Sequence, residues 1–349
     1  MERVVQNVAP ALIAASLAAT AASASARDRI HIVGSSTVFP YTNVVADNFA
    51  ANSAFPRPDV ISTGTGGGME LFCVGNGLDT PDISGASRKM KRSEFDLCRQ
   101  NGVWPITEVP IGYDGLSIAI SRFTTEDFAL TLKDVYTALA AEVPVDGKLV
   151  ANPYKKWSDV RPELPDVPIS VIGPPPTSGT RDSFEELALA AGCVRYAFNV
   201  SLQDTDPDKA DAVCSTLRTD GPFIEAGEDD EAIVAQLKEA PNTLGVMGFG
   251  YVYEHQAELK PVPINGVEPD FLTIATQEYP LSRPLYIYIK NQHEAAVPGM
   301  SAFINEYVWA MHPNGYLFVY GLVPHFADVD FEQIAGEAID GVPMMPPLD

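Results

Sequence analysis

Three loops in the sequence carry the residues best suited to chemistry, and all three are built from hydroxyls and glycines. Gly34-Ser35-Ser36-Thr37 follows an apolar run, and Pro40 then opens a helical pattern. Thr63-Gly64-Thr65-Gly66-Gly67-Gly68 leads into Met69-Glu70-Leu71-Phe72. Pro176-Thr177-Ser178-Gly179-Thr180 follows the run Ile169–Ile172 and opens the helical pattern that starts Arg181-Asp182-Ser183-Phe184. The first turn of a helix has unpaired N–H groups and a partial positive charge. Glycine lets the backbone approach an anion closely, and Ser and Thr hydroxyls add short donors. Any one of these loops reads equally as a simple helix cap. Three in one chain raise the prospect of a shared oxyanion site. G-x-x-x-x-G-K-[ST] is absent, so none of them is a P-loop. A fourth segment, Asp82-Ile83-Ser84-Gly85-Ala86-Ser87-Arg88, sets Ser87 and Arg88 at a strand end. The forked donors of arginine suit phosphate or sulfate, though a surface arginine is the plainer reading of Arg88 alone.

Rival chemistries find less support. A serine hydrolase would use Ser178 or Ser36 as nucleophile and His31 or His255 as base. However, G-x-S-x-G is absent and no Ser/His/Asp arrangement stands out. A metal centre is disfavoured because C-x-x-C is absent and His31, His255, His293, His312 and His325 are scattered. No cofactor is expected.

The elements that must hold these loops alternate along the chain. Ile30–Val33, Leu116–Ile120, Ile169–Ile172, Leu244–Phe249 and Leu285–Ile289 read as buried strands. Tyr41–Ala51, Lys91–Asn101, Leu132–Ala141, Arg181–Ala191, Asp230–Glu239 and Met300–Met311 read as helices. This alternation predicts an α/β fold, with mixed or parallel sheets flanked by helices. The acidic, Pro-containing stretch Thr205–Glu231 is expected to be a solvated loop region, and the tail Pro343–Asp349 to hang free or lie loosely on the surface.

Composition narrows the class further. The 349 residues include 46 Asp+Glu against 23 Lys+Arg, a formal net charge of −23. A surface this acidic disfavours nucleic acid and anionic membranes as partners. The short apolar run Val8–Ala19, followed by Ala22-Ser23-Ala24 and Ala24-Ser25-Ala26, reads as a signal peptide cleaved near Arg27. No later run is long enough to span a bilayer, so direct membrane insertion is not expected. Cys73, Cys98, Cys193 and Cys214 suit an exported protein with two disulfides. Three pairings are possible, and Cys73–Cys98 with Cys193–Cys214 is the simplest.

Taken in order, the loops resemble the periplasmic phosphate-binding proteins of ABC transporters, the PstS family. The resemblance is carried by Gly34-Ser35-Ser36-Thr37-Val38-Phe39-Pro40, Gly64 through Gly68, Ile83 through Arg88 and Gly173 through Thr180. It extends through Tyr113-Asp114-Gly115-Leu116, Trp157-Ser158-Asp159-Val160, Leu244 through Tyr251 and Tyr279-Pro280-Leu281-Ser282-Arg283-Pro284-Leu285-Tyr286. It covers residues 30 to 320. It implies the two-lobed fold of periplasmic binding proteins, with two inter-lobe crossings and the ligand in the cleft. Here the crossings fall near Val109–Tyr113 and Pro280–Pro284. Residues 1–26 are then the signal peptide, 27–112 and 284–349 one lobe, and 113–283 the other.

The implied function is capture of inorganic phosphate in the periplasm and delivery to permease subunits, by a protein expected to be monomeric. Another tetrahedral oxyanion, or a sensing or adhesion role on the same fold, is the alternative. The implied ligand set is Ser36, Thr37 and Val38 in the first loop, Thr65 in the second, Ser87 and Arg88 after it, and Ser178, Gly179 and Thr180 in the third. Two departures bear on charge. The arginine that often stands four positions before the third-loop serine is Pro174 here, so Arg181 and Arg88 are the candidates to replace it. The aspartate usual beside Ser87 is Arg88 here, so a phosphate site needs an acceptor elsewhere. Asp114 is the candidate, unless it only forms a turn with Gly115 at the hinge.

Overall fold

The computed structural model describes residues 27–227, 230–325 and 331–348. The proposed signal peptide lies outside the described residues. The strands form one mixed sheet of nine in the order β2-β1-β3-β11-β4-β9-β7-β8, with β10 paired to β4. In chain order they are β1 (His31–Gly34), β2 (Asp59–Ser62), β3 (Ile83–Ala86) and β4 (Ile106–Ser121). A separate hairpin follows, β5 (Glu142–Val145) and β6 (Lys148–Ala151), then β7 (Val171–Gly173) and β8 (Phe223–Glu225). The last are β9 (Leu244–Gly248), β10 (Leu259–Pro261) and β11 (Ser282–Lys290). The pairs β1/β2, β1/β3, β7/β8 and β7/β9 are parallel, as expected where helices connect neighbouring strands.

Two long strands join the halves of the sheet. β4 runs for 16 residues, pairing antiparallel with β11 through its first part and with β9 from Leu116 to Ile120. The sequence pattern showed only the second part, because polar Thr107, Glu108 and the Gly112–Gly115 stretch interrupt the apolar run. The buried apolar residues divide along the same line. One cluster draws on Ile30 to Ile111 and Leu285 to Ala338, another on Leu116 to Leu281 with Val323.

The predicted helices are all present. Asp230–Glu239 and Met300–Met311 match at both ends, and α1 (Phe39–Asn52) starts two residues earlier than the pattern suggested. The predicted Arg181–Ala191 helix begins at Gly179, widens to a π-helix over Glu185–Ala190 and continues to Cys193. The stretch Thr205–Glu231 is not the loop its composition suggested. It holds the helix Pro207–Ser215 and strand β8. Asp206 caps that helix by accepting from Lys209 N at 3.2 Å, Pro207 occupies its first turn, and Ala210, Val213 and Cys214 form its buried stripe. The tail is mostly exposed, with Met344 N donating to Ile106 O at 2.9 Å. No helix among the described residues is long and apolar enough to cross a membrane.

Cys73 is bonded to Cys98 and Cys193 to Cys214, the neighbour pairing expected. The first joins the end of α2 (Gly64–Phe72) to α3 (Arg92–Gln100), and the second joins the helix ending at Cys193 to Pro207–Ser215. Their sequence separations are 25 and 21 residues. Closing loops of this length restricts the unfolded chain by roughly 3 kcal/mol each. Denaturant titration of the oxidised and reduced protein is expected to show losses of that order. Equal midpoints would contradict a stabilising role.

A candidate anion cleft at the strand crossing

The first loop leaves β1 at Gly34, whose φ of +129° is open to glycine and unfavourable for other residues. Its Cα also lies so close to β3 that a side-chain carbon there would meet Gly85 O at 2.1 Å. The chain therefore turns sharply and enters α1 with Pro40 in the first turn. Within the turn, Thr37 N donates to Ser35 Oγ at 3.2 Å and Phe39 N to Ser35 O at 2.9 Å. The third loop leaves β7 at Gly173. Ser178 caps the following helix by accepting from Thr180 N at 3.2 Å.

These two loops come from opposite halves of the molecule and meet. Thr37 Oγ1 donates to Gly179 O at 3.4 Å, and Ser36 Oγ donates to Asp182. Beside the contact lies a cavity of about 580 Å³. Ser36, Thr37, Asp114, Ser178, Gly179 and Thr180 lie in its wall, together with the ring of Tyr41.

Asp114 belongs to the β4/β11 ladder, in which it stands directly opposite Arg283. Arg283 is only 5% exposed. Its Nη1 donates to Glu186 Oε2 at 2.7 Å, its Nη2 reaches both Thr37 Oγ1 and Ser183 Oγ, and its Nε lies 3.5 Å from Asp114 Oδ2. Ser183 Oγ also donates to Gly179 O at 2.9 Å. Burial pushes the Asp114 carboxyl above the usual carboxylate range, and only the nearby Arg283 and the Ser183 hydroxyl pull against it. The phenol of Tyr41 is raised too, first by burial and then by the charge on Asp114.

The remaining residues singled out in the sequence lie elsewhere. Thr65 and Ser87 satisfy each other, with their hydroxyl oxygens 3.1 Å apart and Ser87 N donating to Thr65 Oγ1 at 3.2 Å. Val38 is buried in the apolar core beneath α1. Arg88 is held by Glu94 through two hydrogen bonds of 2.9 and 2.8 Å, and the first effect of that pairing is to raise the guanidinium pKa. Arg181 points back into its own half, donating to Glu185 Oε1 at 2.6 Å and Pro174 O at 3.2 Å beneath the ring of Phe223. Neither arginine is in the cavity wall, and each has a carboxylate partner.

Arg283, Ser183 and Glu186 were not singled out by sequence reasoning. One signal existed for Arg283: a cation inside Leu281-Ser282-Arg283-Pro284-Leu285-Tyr286-Ile287, a run that can only be a buried strand.

Comparison with known proteins identifies the family and the fold. A family described as "PBP superfamily domain" matches residues 19–309. Protein SphX of Synechocystis sp. is 32% identical over 285 residues, spanning 80% of this chain and 74% of its own. The phosphate-binding protein PstS of Staphylococcus epidermidis is 29% identical over 279 residues, 78% of this chain and 71% of its own. Among solved structures, a possible phosphate-binding protein from Planctomyces limnophilus superposes with a TM-score of 0.69 at 26% identity. That match covers 90% of this chain and 98% of the other.

Proposed function

Because the chain belongs to the PBP superfamily, we propose that it is a solute receptor that captures inorganic phosphate and passes it to the permease subunits of an ABC transporter. In this reading residues 27–112 and 284–349 form one lobe and 113–283 the other. The division of the buried cores between Ile111 and Leu116, and between Leu281 and Leu285, supports that boundary. The protein is exported to the periplasm with residues 1–26 removed, and works there as a monomer. Two disulfides suit an oxidising compartment.

The observation that carries the reading is the convergence of Ser36-Thr37 and Ser178-Gly179-Thr180 on one cavity with Asp114 in its wall. Hydroxyls and first-turn amides from both lobes surround the anion, so binding favours the closed form. Asp114 accepts a hydrogen bond from the hydroxyl that phosphate keeps near neutral pH. The net charge of −23 does not oppose this, because surface charges are screened by salt while donors at the ligand are not. The role is binding rather than catalysis.

Thr180→Val tests the ligand set. A hydrogen bond to a charged group contributes about 1.5–3 kcal/mol, so calorimetry with phosphate is expected to show about a tenfold or greater loss. Unchanged affinity in the folded variant would remove Thr180 from the site.

A further inference from the structure

We propose that Arg283 is the positioning cation of the anion site, delivered by β11 at the strand crossing, and that it acts by fixing the Thr37 hydroxyl as a donor to the ligand. The proposal rests on the phosphate reading above. Arg88 and Arg181 are paired with Glu94 and Glu185 and make no hydrogen bond to Thr37 or Ser183. Arg283 is the arginine that reaches both lobes. Its Nη2 meets Thr37 from the first loop and Ser183 from the helix after the third, and its Nη1 meets Glu186.

The direction of these hydrogen bonds is fixed by chemistry. A guanidinium only donates, while a hydroxyl has one proton and two lone pairs. Thr37 Oγ1 and Ser183 Oγ must therefore accept from Arg283. Ser183 spends its own proton on Gly179 O at 2.9 Å. For Thr37 the corresponding distance to Gly179 O is 3.4 Å, a long contact. Thr37 lines the cavity, and its proton is held only by long contacts, 3.4 Å to Gly179 O and 3.2 Å to Ser183 Oγ, from which an anion entering there can draw it. Arg283 also keeps a reserve: its Nε is buried without a hydrogen-bond partner, 3.5 Å from Asp114. The cation is held deep, with Glu186 and Asp114 compensating its charge and one N–H left without a hydrogen-bond partner. A guanidinium fixed in this way can orient its hydroxyl partners towards an oxyanion site.

The test is titration calorimetry of inorganic phosphate into the purified mature protein and four variants: Arg283→Met, Arg283→Lys, Thr37→Val and Arg283→Met with Thr37→Val. Circular dichroism and melting curves establish folding. Arg283→Met is expected to weaken binding about 100-fold, and Arg283→Lys to recover about tenfold of that loss. Thr37→Val should cost about tenfold alone and less than about twofold once Arg283 is gone, because Arg283 acts through that hydroxyl. If Arg283→Met does not fold, a loss of about tenfold in Arg283→Lys carries the proposal. Folded Arg283 variants that bind as tightly as wild type would overturn it, as would a Thr37→Val loss that is equal in both backgrounds. Wild-type protein that binds no phosphate would instead overturn the reading on which the proposal rests.

Discussion

Replacement of Gly179 by alanine is expected to reduce phosphate affinity at least about 100-fold while leaving both lobes folded. A methyl carbon at this position would lie 2.5 Å from the carbonyl carbon and oxygen of Ser36 and 2.8 Å from Thr37 N. These are backbone atoms, and no side-chain rotation relieves the overlap. Gly179 and Ser36 sit 143 positions apart on opposite sides of the strand crossing, so the loops can separate without unfolding either half. Separation leaves the anion with donors from one side only. Losing two charged-group hydrogen bonds, at about 1.5–3 kcal/mol each, gives the 100-fold figure. Calorimetry should show the lost affinity, and small-angle scattering should show that phosphate no longer compacts the variant. The melting temperature without ligand should stay within a few degrees of wild type. Wild-type affinity would mean that these loops do not close on the ligand.

Asp114→Asn is expected to reverse selectivity. Phosphate near neutral pH carries a proton that needs an acceptor, whereas sulfate carries none. A buried carboxylate in the cavity wall therefore binds the first and repels the second. Asp114 is suited to that role by its place in the cavity wall, where Arg283 and the Ser183 hydroxyl support the charged form against burial. An amide can turn an N–H towards either anion, so the variant should lose phosphate affinity by about tenfold or more and gain, or at least keep, sulfate affinity. Parallel titrations with both anions distinguish the outcomes. Equal losses would assign Asp114 to the hinge, where it pairs with Arg283. No change in either would remove it from the site.

Much of this architecture is written in local pattern. Apolar runs such as Leu285–Ile289 mark strands, and the caps and Pro40 mark where helices begin. Neighbour pairing is the simplest of the three pairings open to the cysteines, and it is the one formed. The loops at Ser36-Thr37 and Ser178-Gly179-Thr180 are legible because their residue types have few other uses in that combination. What the pattern hides is partnership over long distance. Arg88 precedes a helix whose third position, Glu94, folds back to claim it, a local event with no outward sign of the distant alternative. Arg181 follows Ser-Gly-Thr in sequence, yet its side chain is turned to Pro174 O, Glu185 and the ring of Phe223. Arg283 reaches Thr37 across 246 positions, and only the register of β11 against β4 sets it opposite Asp114. The acidic composition of Thr205–Glu231 likewise masks a short buried stripe at Ala210, Val213 and Cys214, which the disulfide to Cys193 fixes in place.

The most direct test of the account is titration calorimetry of the mature protein, beginning at Arg27, against phosphate, sulfate and molybdate at neutral pH. The account predicts saturable binding of one phosphate per chain and no comparable heat with sulfate. Absence of phosphate binding, or sulfate binding as tight as phosphate, would contradict it.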